Sequence, residues 1–413
     1  DRLFRGEPKQ YSNVNTIWQP RIGIAYQIGS KTVLRSGVGR FSTRNAVSDS
    51  TFLGGNPPLQ PMASIPTTSV DMPGGGSLAS FPLSVTSQDK IYKIPESWNW
   101  NVTVERELPF RTVLEMSYVG RKGLHLVRER NINQLAAGTL QANSGANANY
   151  LRPYQGFGPI RLSNTDASSF YQGFQVGLNR RFSTGLGFGF AYTYSKSRDN
   201  GSGPKDLLPN AYDAASFWGP SDFDNRHVAV INYIYELPFL KGNTSFVGKA
   251  FGGWQISGVT QFQTGRPYSP STGDDFAGVG PGSGNQFWQV SDLSYQKQFT
   301  ENPGDGNRWL TANVQRPAAG TFATGNMRNL LYGPGFQNWN ISVIKNFRVT
   351  ERVNVQFRAD GFNFINRPNW GGANGDASEA NGGLVRNPNS GSFGLVAGKG
   401  GERNLQFGLR LAF

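Results

Sequence analysis

Glu105 and Glu115 stand on the polar faces of two successive segments of alternating polarity. Paired carboxylates of this kind are the raw material of general acid–base catalysis. A water-lined wall also carries such charges without using them, and that is the expectation for this pair. Arg358 and Asp360 share one polar face with Gln356 and Asn354, and Asn338 and Asn340 offer amides on another. These groups suit contact with a polar ligand or a plug, or a cross-strand ladder within a wall. From Gly120 to Arg130 the sequence GRKGLHLVRER gathers Arg121, Lys122, Arg128 and Arg130. Guanidinium forks match phosphate oxygens, so this segment is a candidate contact for lipopolysaccharide at an outer rim. His125 and His227 are far apart with no evident partner and read as structural. Glycines 185, 187 and 189 have the look of a phosphate loop, but no helix follows, and small lumen-facing residues explain them better. DASEANGG, at 376–383, is acidic but lacks the spacing of a calcium loop and reads as an ordinary turn.

Composition narrows the classes. The 413 residues include no Cys and two His, which removes disulfide frameworks, thiol nucleophiles and zinc sites built on Cys or clustered His. No metal site, no cofactor site and no nucleophile–base constellation emerges, so an enzyme is not expected. The net charge is +13, from 40 basic and 27 acidic residues. The basic residues are spread along the chain, which suits an anionic membrane surface rather than nucleic acid. Aromatic residues are 13% of the chain, against a disordered composition. No apolar run approaches the roughly 18 residues of a membrane-spanning helix. The chain opens Asp1-Arg2-Leu3, which reads as a trimmed product whose start is missing.

The elements that must position these groups are strands. Period-two alternation recurs in eleven segments: 17–28, 31–41, 97–108, 112–119, 170–182, 185–198, 222–237, 251–264, 337–349, 352–364 and 405–413. In the clearest, Leu186, Phe188, Phe190, Tyr192 and Tyr194 oppose Gly185, Gly187, Gly189, Ala191 and Thr193. The second face is Asn, Gln, Ser, Thr and Gly with a few charges, whereas a soluble sandwich would carry many Lys and Glu there. That pattern fits a polar lumen, and Trp, Tyr and Phe near strand ends fit aromatic girdles. No segment has a convincing helical period.

Short connections at 29–30, 109–110, 183–184 and 350–351, and a middling one at 238–250, alternate with long ones at 42–94, 120–168, 199–221, 265–335 and 367–401. Short periplasmic turns and long extracellular loops are the habit of outer-membrane barrels. The expected fold is therefore all-β, a transmembrane antiparallel β-barrel in the outer membrane. Bacterial single-chain barrels use an even number of strands. If the last strand runs toward the periplasm, counting back puts residues 1–16 in an extracellular loop. Residues 1–413 then form the C-terminal part of a larger barrel, whose earlier strands complete the lipid-exposed edge.

The segment NWNISVIKNFRVTERVNVQFRADGFNFINRPNW and the terminal ERNLQFGLRLAF resemble the end of TonB-dependent outer-membrane receptors, in particular the Oar-like branch. SWNWNVTVERELPFRTVLEMSYVGRKGLHL, DFDNRHVAVINYIYELPF and GGWQISGVTQFQTGRPYSP are similar to earlier barrel strands of that branch. The resemblance implies a 22-stranded barrel, of which this is the second half. It also implies an N-terminal plug and a TonB box upstream of these residues, a TonB system as energising partner, and Phe413 as a barrel-assembly signal. The implied function is uptake of a ligand too large for porins. Two alternatives are a structural barrel that binds partner proteins through its loops, and a passive porin. Loop sequences, not strand patterns, would set the ligand.

Overall fold

The computed structural model describes residues 17–43, 55–56, 63–64, 77–78, 82–89, 93–240, 245–291, 307–309, 313–348, 353–370, 387–391, 393–396 and 399–413. Eleven strands follow one another in a meander: β1 (Arg21–Gln27), β2 (Thr32–Ser42), β3 (Glu96–Leu108), β4 (Thr112–Asn131), β5 (Phe157–Ser183), β6 (Leu186–Asp199), β7 (His227–Glu236), β8 (Trp254–Gln263), β9 (Phe336–Arg348), β10 (Asn354–Phe362) and β11 (Asn404–Ala412). Each pairs antiparallel with its neighbours in sequence. Every alternating segment of the sequence is thus a strand of one wall. Among the described residues β1 and β11 do not pair with each other, and both are exposed along their whole length.

The register converts the alternation of each strand into transverse rows. One outward row reads Ile24, Ser36, Val102, Tyr118, Phe174, Tyr194 and His227. One inward row reads Gln27, Val33, Glu105, Glu115, Gly177, Ala191, Val230, Gln261 and Asn338. Outward residues such as Val102, Phe174, Phe407 and Leu409 are exposed, which is unfavourable in water and favourable against acyl chains. At Gly120 the outward ring of Trp100 lies across the neighbouring strand. A Cβ there would come within 2.1 Å of that ring, so only glycine fits without shifting Trp100.

Turns at one end are tight. Thr184 and Gly185 both have positive φ, the conformation that joins twisted strands in two residues. Among the described residues of this end, the connection from β7 to β8 differs: it carries a short helix, α3 (Phe246–Phe251). The two other α-helices of the described residues, α1 (Thr139–Ala142) and α2 (Ala148–Leu151), lie between β4 and β5 at the opposite end.

One expectation fails there. Residues 120–168 are not simply a loop: β4 has 20 residues and β5 has 27, roughly twice the span a membrane needs. Beyond Gly123 and Ser169 the two strands rise past the end of β6 as a hairpin. His125, with φ 56°, sits at a register shift between Gly123 and Leu126. Such an irregularity turns the strand and resets which residues share a face. Leu83–Gln88 then pairs parallel with β5.

This hairpin and the other long connections pack into a roof. Every fully buried apolar residue among those described lies in the roof or in the outer ends of β4 and β5. Tyr268, Val290 and Leu331 form one cluster, joined by Trp309, Met327 and Phe393. Phe276, Ala277, Val279 and Trp288 form a second.

Candidate ligand-facing site: the inner wall and its roof

The inner wall is built from side chains of alternate positions on all eleven strands. Glu105 and Glu115 are direct cross-strand partners. Like charges so placed repel, and Arg35 of β2 answers with a 2.8 Å ion pair to Glu105. Ser117 donates to Glu115 at 3.3 Å. Far along the sheet, Arg358 Nε donates to Asp360 at 2.7 Å, and Ser342 donates to the same carboxylate. Gln356 donates to Asn346 across the ladder at 2.9 Å. Asn340 accepts from the backbone N–H of Asn363 at 3.1 Å, and Asn338 faces Gln261. The wall therefore brings Asn338, Asn340, Gln356, Arg358 and Asp360 together on β9 and β10, and keeps Glu105 and Glu115 apart from them on β3 and β4.

The basic segment divides. Arg121 shares the inner face with Asn99, Tyr171 and Ser197, so it faces the lumen rather than a lipid. Lys122 lies outward, in a row with Arg40, Trp98, Phe170 and Arg198. Arg128 is 1% exposed and spends its guanidinium on Asp166 at 2.6 Å and the Asn200 carbonyl at 2.7 Å. Arg130 pairs with the same Asp166 and donates to the Ala211 carbonyl. Arg128 is thus a roof tie, not a surface for lipopolysaccharide. The sequence spacing that placed these four together assumed a loop, and the register shift at His125 separates them.

Arg328 is the residue that sequence reasoning missed. It is 2% exposed. Its guanidinium meets Asp199 at 2.5 Å, Ser202 Oγ at 2.7 Å and Asp222 at 3.2 Å, and lies 4.6 Å from the centre of the Phe217 ring. Asp199 ends β6, so this network fastens the 264–335 connection to the wall. Asn329 adds bonds to the Pro220 carbonyl and to Asp222. A second tie joins Arg226, Asp224 and Tyr332: Arg226 donates to Tyr332 Oη at 2.8 Å and pairs with Asp224 at 3.0 Å. Arg152, 2% exposed, donates to the carbonyls of Asn133 and Pro281, and burial lowers its pKa.

Burial, reinforced by the nearby Asp222 charge, pushes the Asp206 carboxyl up. Burial likewise raises Glu129, more than Arg161 and Lys205 lower it. Asp166 goes the other way. Burial would raise it, but the hydrogen bond from Arg128 and the charges of Arg128 and Arg130 hold it below the usual carboxylate range.

Two cavities of the described residues adjoin the roof. One of about 760 Å³ lies where the inner wall meets the roof, lined by Arg21, Phe41, Asn99, Arg121, Tyr171 and Asp199 among others. Another of about 620 Å³ lies within the roof, beside Asp206, Asp222, Tyr268, Ser269, Asn285 and Arg328. Both offer hydrogen-bonding and charged groups beside aromatic rings, a lining that orients a polar ligand. The histidines stay structural: His227 lies outward, its Nδ1 2.8 Å from Tyr192 Oη and its ring against Tyr194. Phe413 follows β11 and is 97% exposed. The segment 376–383 and residues 1–16 lie outside the described residues.

Residues 5–406 match the family model described as outer membrane beta barrel domain. No curated protein matches the chain. Among solved structures, the outer membrane transporter YddB from Escherichia coli is similar with a TM-score of 0.48 and 10% identity, over 93% of this chain and 39% of that one. The FrpB iron transporter from Neisseria meningitidis (F3-3 variant) gives 0.42 and 10%, over 95% and 39%. The siderophore receptor PirA from Pseudomonas aeruginosa gives 0.36 and 10%, over 85% and 39%. The chain spans 39% of the length of each of these structures. With a two-faced antiparallel wall and a family model covering nearly all of it, this chain belongs to the outer membrane beta barrel domain family and is a protein of the outer membrane.

Proposed function

We propose that residues 1–413 are the C-terminal part of a receptor that takes up a ligand too large for porins, of the TonB-dependent kind and the Oar-like branch. The observation that carries this reading is the stapled roof. Arg328 and its carboxylates hold the loops in one packed body over a polar wall, leaving a cavity of about 760 Å³ beneath. A receptor needs such a pre-formed vestibule, whereas a passive porin needs an open passage. The exposed backbone edges of β1 and β11 would be intolerable in lipid, so earlier strands complete the wall. On this reading an N-terminal plug and a TonB box lie upstream, and the TonB system supplies energy through them.

Arg121, Asn338, Asn340, Gln356, Arg358 and Asp360 serve as lumen contacts for ligand or plug, and Glu105 and Glu115 act as wall charges, not as an acid–base pair. Lys122, together with Arg198 of the same outward row, contacts lipopolysaccharide phosphate. Phe413 serves as the assembly signal.

Uptake is tested with the complete gene in its own host, using a panel of labelled ferric siderophores, cobalamin, oligosaccharides and oligopeptides. Accumulation of one of these should vanish on deleting either this gene or the TonB gene. Accumulation that survives loss of TonB would indicate a porin. Unchanged accumulation of every probe in the gene deletion would indicate a scaffold.

The scaffold reading has one observation of its own. Tyr150, Tyr154, Tyr212 and Phe223 of the roof are exposed, and aromatic side chains of this kind anchor protein interfaces. Capture of a specific surface protein, lost in the Tyr150→Ser, Tyr212→Ser double variant, would favour it.

A further inference from the structure

The connection between β7 and β8 is out of keeping with its neighbours. At the same end, β5 and β6 are joined by two residues, but 237–253 inserts α3 and a run of exposed apolar side chains. Phe246 is 86% exposed, Phe239 and Phe251 each 66%, Val247 53% and Leu240 39%. A turn of this kind in water would be polar. Leu240 is moreover held at φ 54°, in the left-handed region that a branched apolar residue avoids.

The helix is fixed against one side of the wall. Ser245 caps it by accepting from Gly248 N at 3.2 Å. At its other end the Gly252 carbonyl accepts from the ammonium of Lys345 on β9. Lys345 belongs to the outward row of Trp254 and Phe357, and its Nζ lies 5.6 Å and 4.9 Å from the ring centres of Trp254 and Phe347. A lysine among lipid-facing residues is tolerated near a membrane boundary, where a carbonyl and aromatic faces receive the charge. α3 therefore continues the outward, apolar side of the wall, beside Trp254 and Phe347.

We propose that α3 with Phe239 and Leu240 is an interfacial anchor, lying in the headgroup–acyl boundary of the phospholipid leaflet at the turn end of the wall. Three observations select lipid over a protein partner. The patch is continuous with the lipid-facing stripe through Trp254 and Phe347. It sits where β7 ends and β8 begins, at the end of the wall. And the sequence from 237 to 253 contains Lys241 and Lys249 and no acidic residue, a charge that complements anionic phospholipid. Assigning this leaflet to the periplasmic side rests on the barrel orientation used above; the lipid contact does not.

The 413 residues contain no Cys, so only a Cys upstream of residue 1 has to be replaced before labelling. Nitroxide labels at Phe246→Cys and Phe251→Cys, and at Ser30→Cys in a tight turn of the same end, are placed in the full-length protein. The protein is reconstituted in phosphatidylcholine vesicles with and without phosphatidylglycerol. At 246 and 251 molecular oxygen should relax the label several-fold more effectively than a water-soluble nickel chelate, with the reverse at 30. Phosphatidylglycerol should deepen the first two. Labels at 246 and 251 as nickel-accessible as that at 30 would overturn the proposal. So would labels shielded from both reagents, which would mean that protein covers the patch. Lys345→Met should loosen α3, so that the oxygen preference at 251 falls while the wall keeps its heat-modifiable gel mobility. Unchanged accessibility in that variant would overturn the role of Lys345 as the tether.

Discussion

The wall and the roof obey opposite burial rules within one chain. In the wall, large apolar residues such as Ile24, Val102, Phe407 and Leu409 point outward, and the inward rows mix Asn, Gln, Ser, Gly and a few charges with smaller apolar residues such as Val33 and Val230. In the roof, Leu331, Val279 and Leu208 are buried as in a water-soluble domain. The solvent accounts for the difference. Acyl chains welcome apolar groups but cannot hydrogen-bond a free peptide, so the wall must pair its backbone and is free to expose its leucines. The roof meets water, so it must hide apolar area and has charge to spare for internal ties. The two halves of the comparison respond to different perturbations.

The largest contrast is expected at Arg328. Arg328→Ala leaves the Asp199 carboxylate, 1% exposed, without its partner. Stranding a buried charge costs about 3–5 kcal/mol. Hydrogen exchange in 199–224 and 265–335 should accelerate, while the heat-modifiable gel mobility of the wall stays unchanged. Joint melting of wall and roof would dissolve the comparison.

Next comes a matched pair of leucines. Leu331→Ala, at 0% exposure, should cost the roof about 2–5 kcal/mol. Leu409→Ala, facing outward, should cost less than about 1 kcal/mol, since lipid takes up the space. Urea titration in proteoliposomes, read separately by exchange in each region, measures both.

A charge gives the converse. Ile341→Lys, outward on β9 and well inside the band, should destabilise the wall by about 2–4 kcal/mol, a cost that falls toward about 0–1 kcal/mol at the membrane boundary, where Lys345 already sits. Equal tolerance at both positions would place the lipid band elsewhere.

The smallest effect is that of pH, and it should appear in the roof. Asp206 and Glu129 have raised pKa values in the fold, so the stability they contribute is present at acid pH and lost as pH rises through their folded values. Asp166 is lowered, so its contribution is present above the ordinary carboxylate range and lost as pH falls through its folded value. Roof protection factors, taken relative to the intrinsic exchange rate at each pH, should rise on mild acidification and fall in stronger acid, while those of the wall stay flat. A monotonic profile would mean that one of these carboxylates dominates.

How much was legible in the sequence follows the same division. The wall could be read because a sheet between lipid and lumen must alternate, and all eleven strands declare themselves that way. The outer ends of β4 and β5 could not. Glu129, Arg128 and Asn131 are buried beside Val127, so both faces are covered and no alternation is required, and the shift at His125 breaks the parity. The inner-face candidates on β9 and β10 were legible as neighbours, since they follow from strand position. Arg328 was not: its partners are brought to it by loop packing, and GNMRNL has no period that marks a buried cation.

The sequential meander and the Arg328 tie also set a timetable for assembly. Each wall strand meets a partner that immediately precedes it in the wall order, so the wall can grow by adding hairpins, of which β5–β6 closes over only two residues. The Arg328–Asp199 contact joins residues 129 apart. Contacts of such long range form late, because loop closure must be met before they reward it. Asp199 is therefore in place, at the end of β6, well before its counter-ion arrives. The order of events runs from a hairpin-built wall to a roof that locks in the last stage, with residue 328 as its latch.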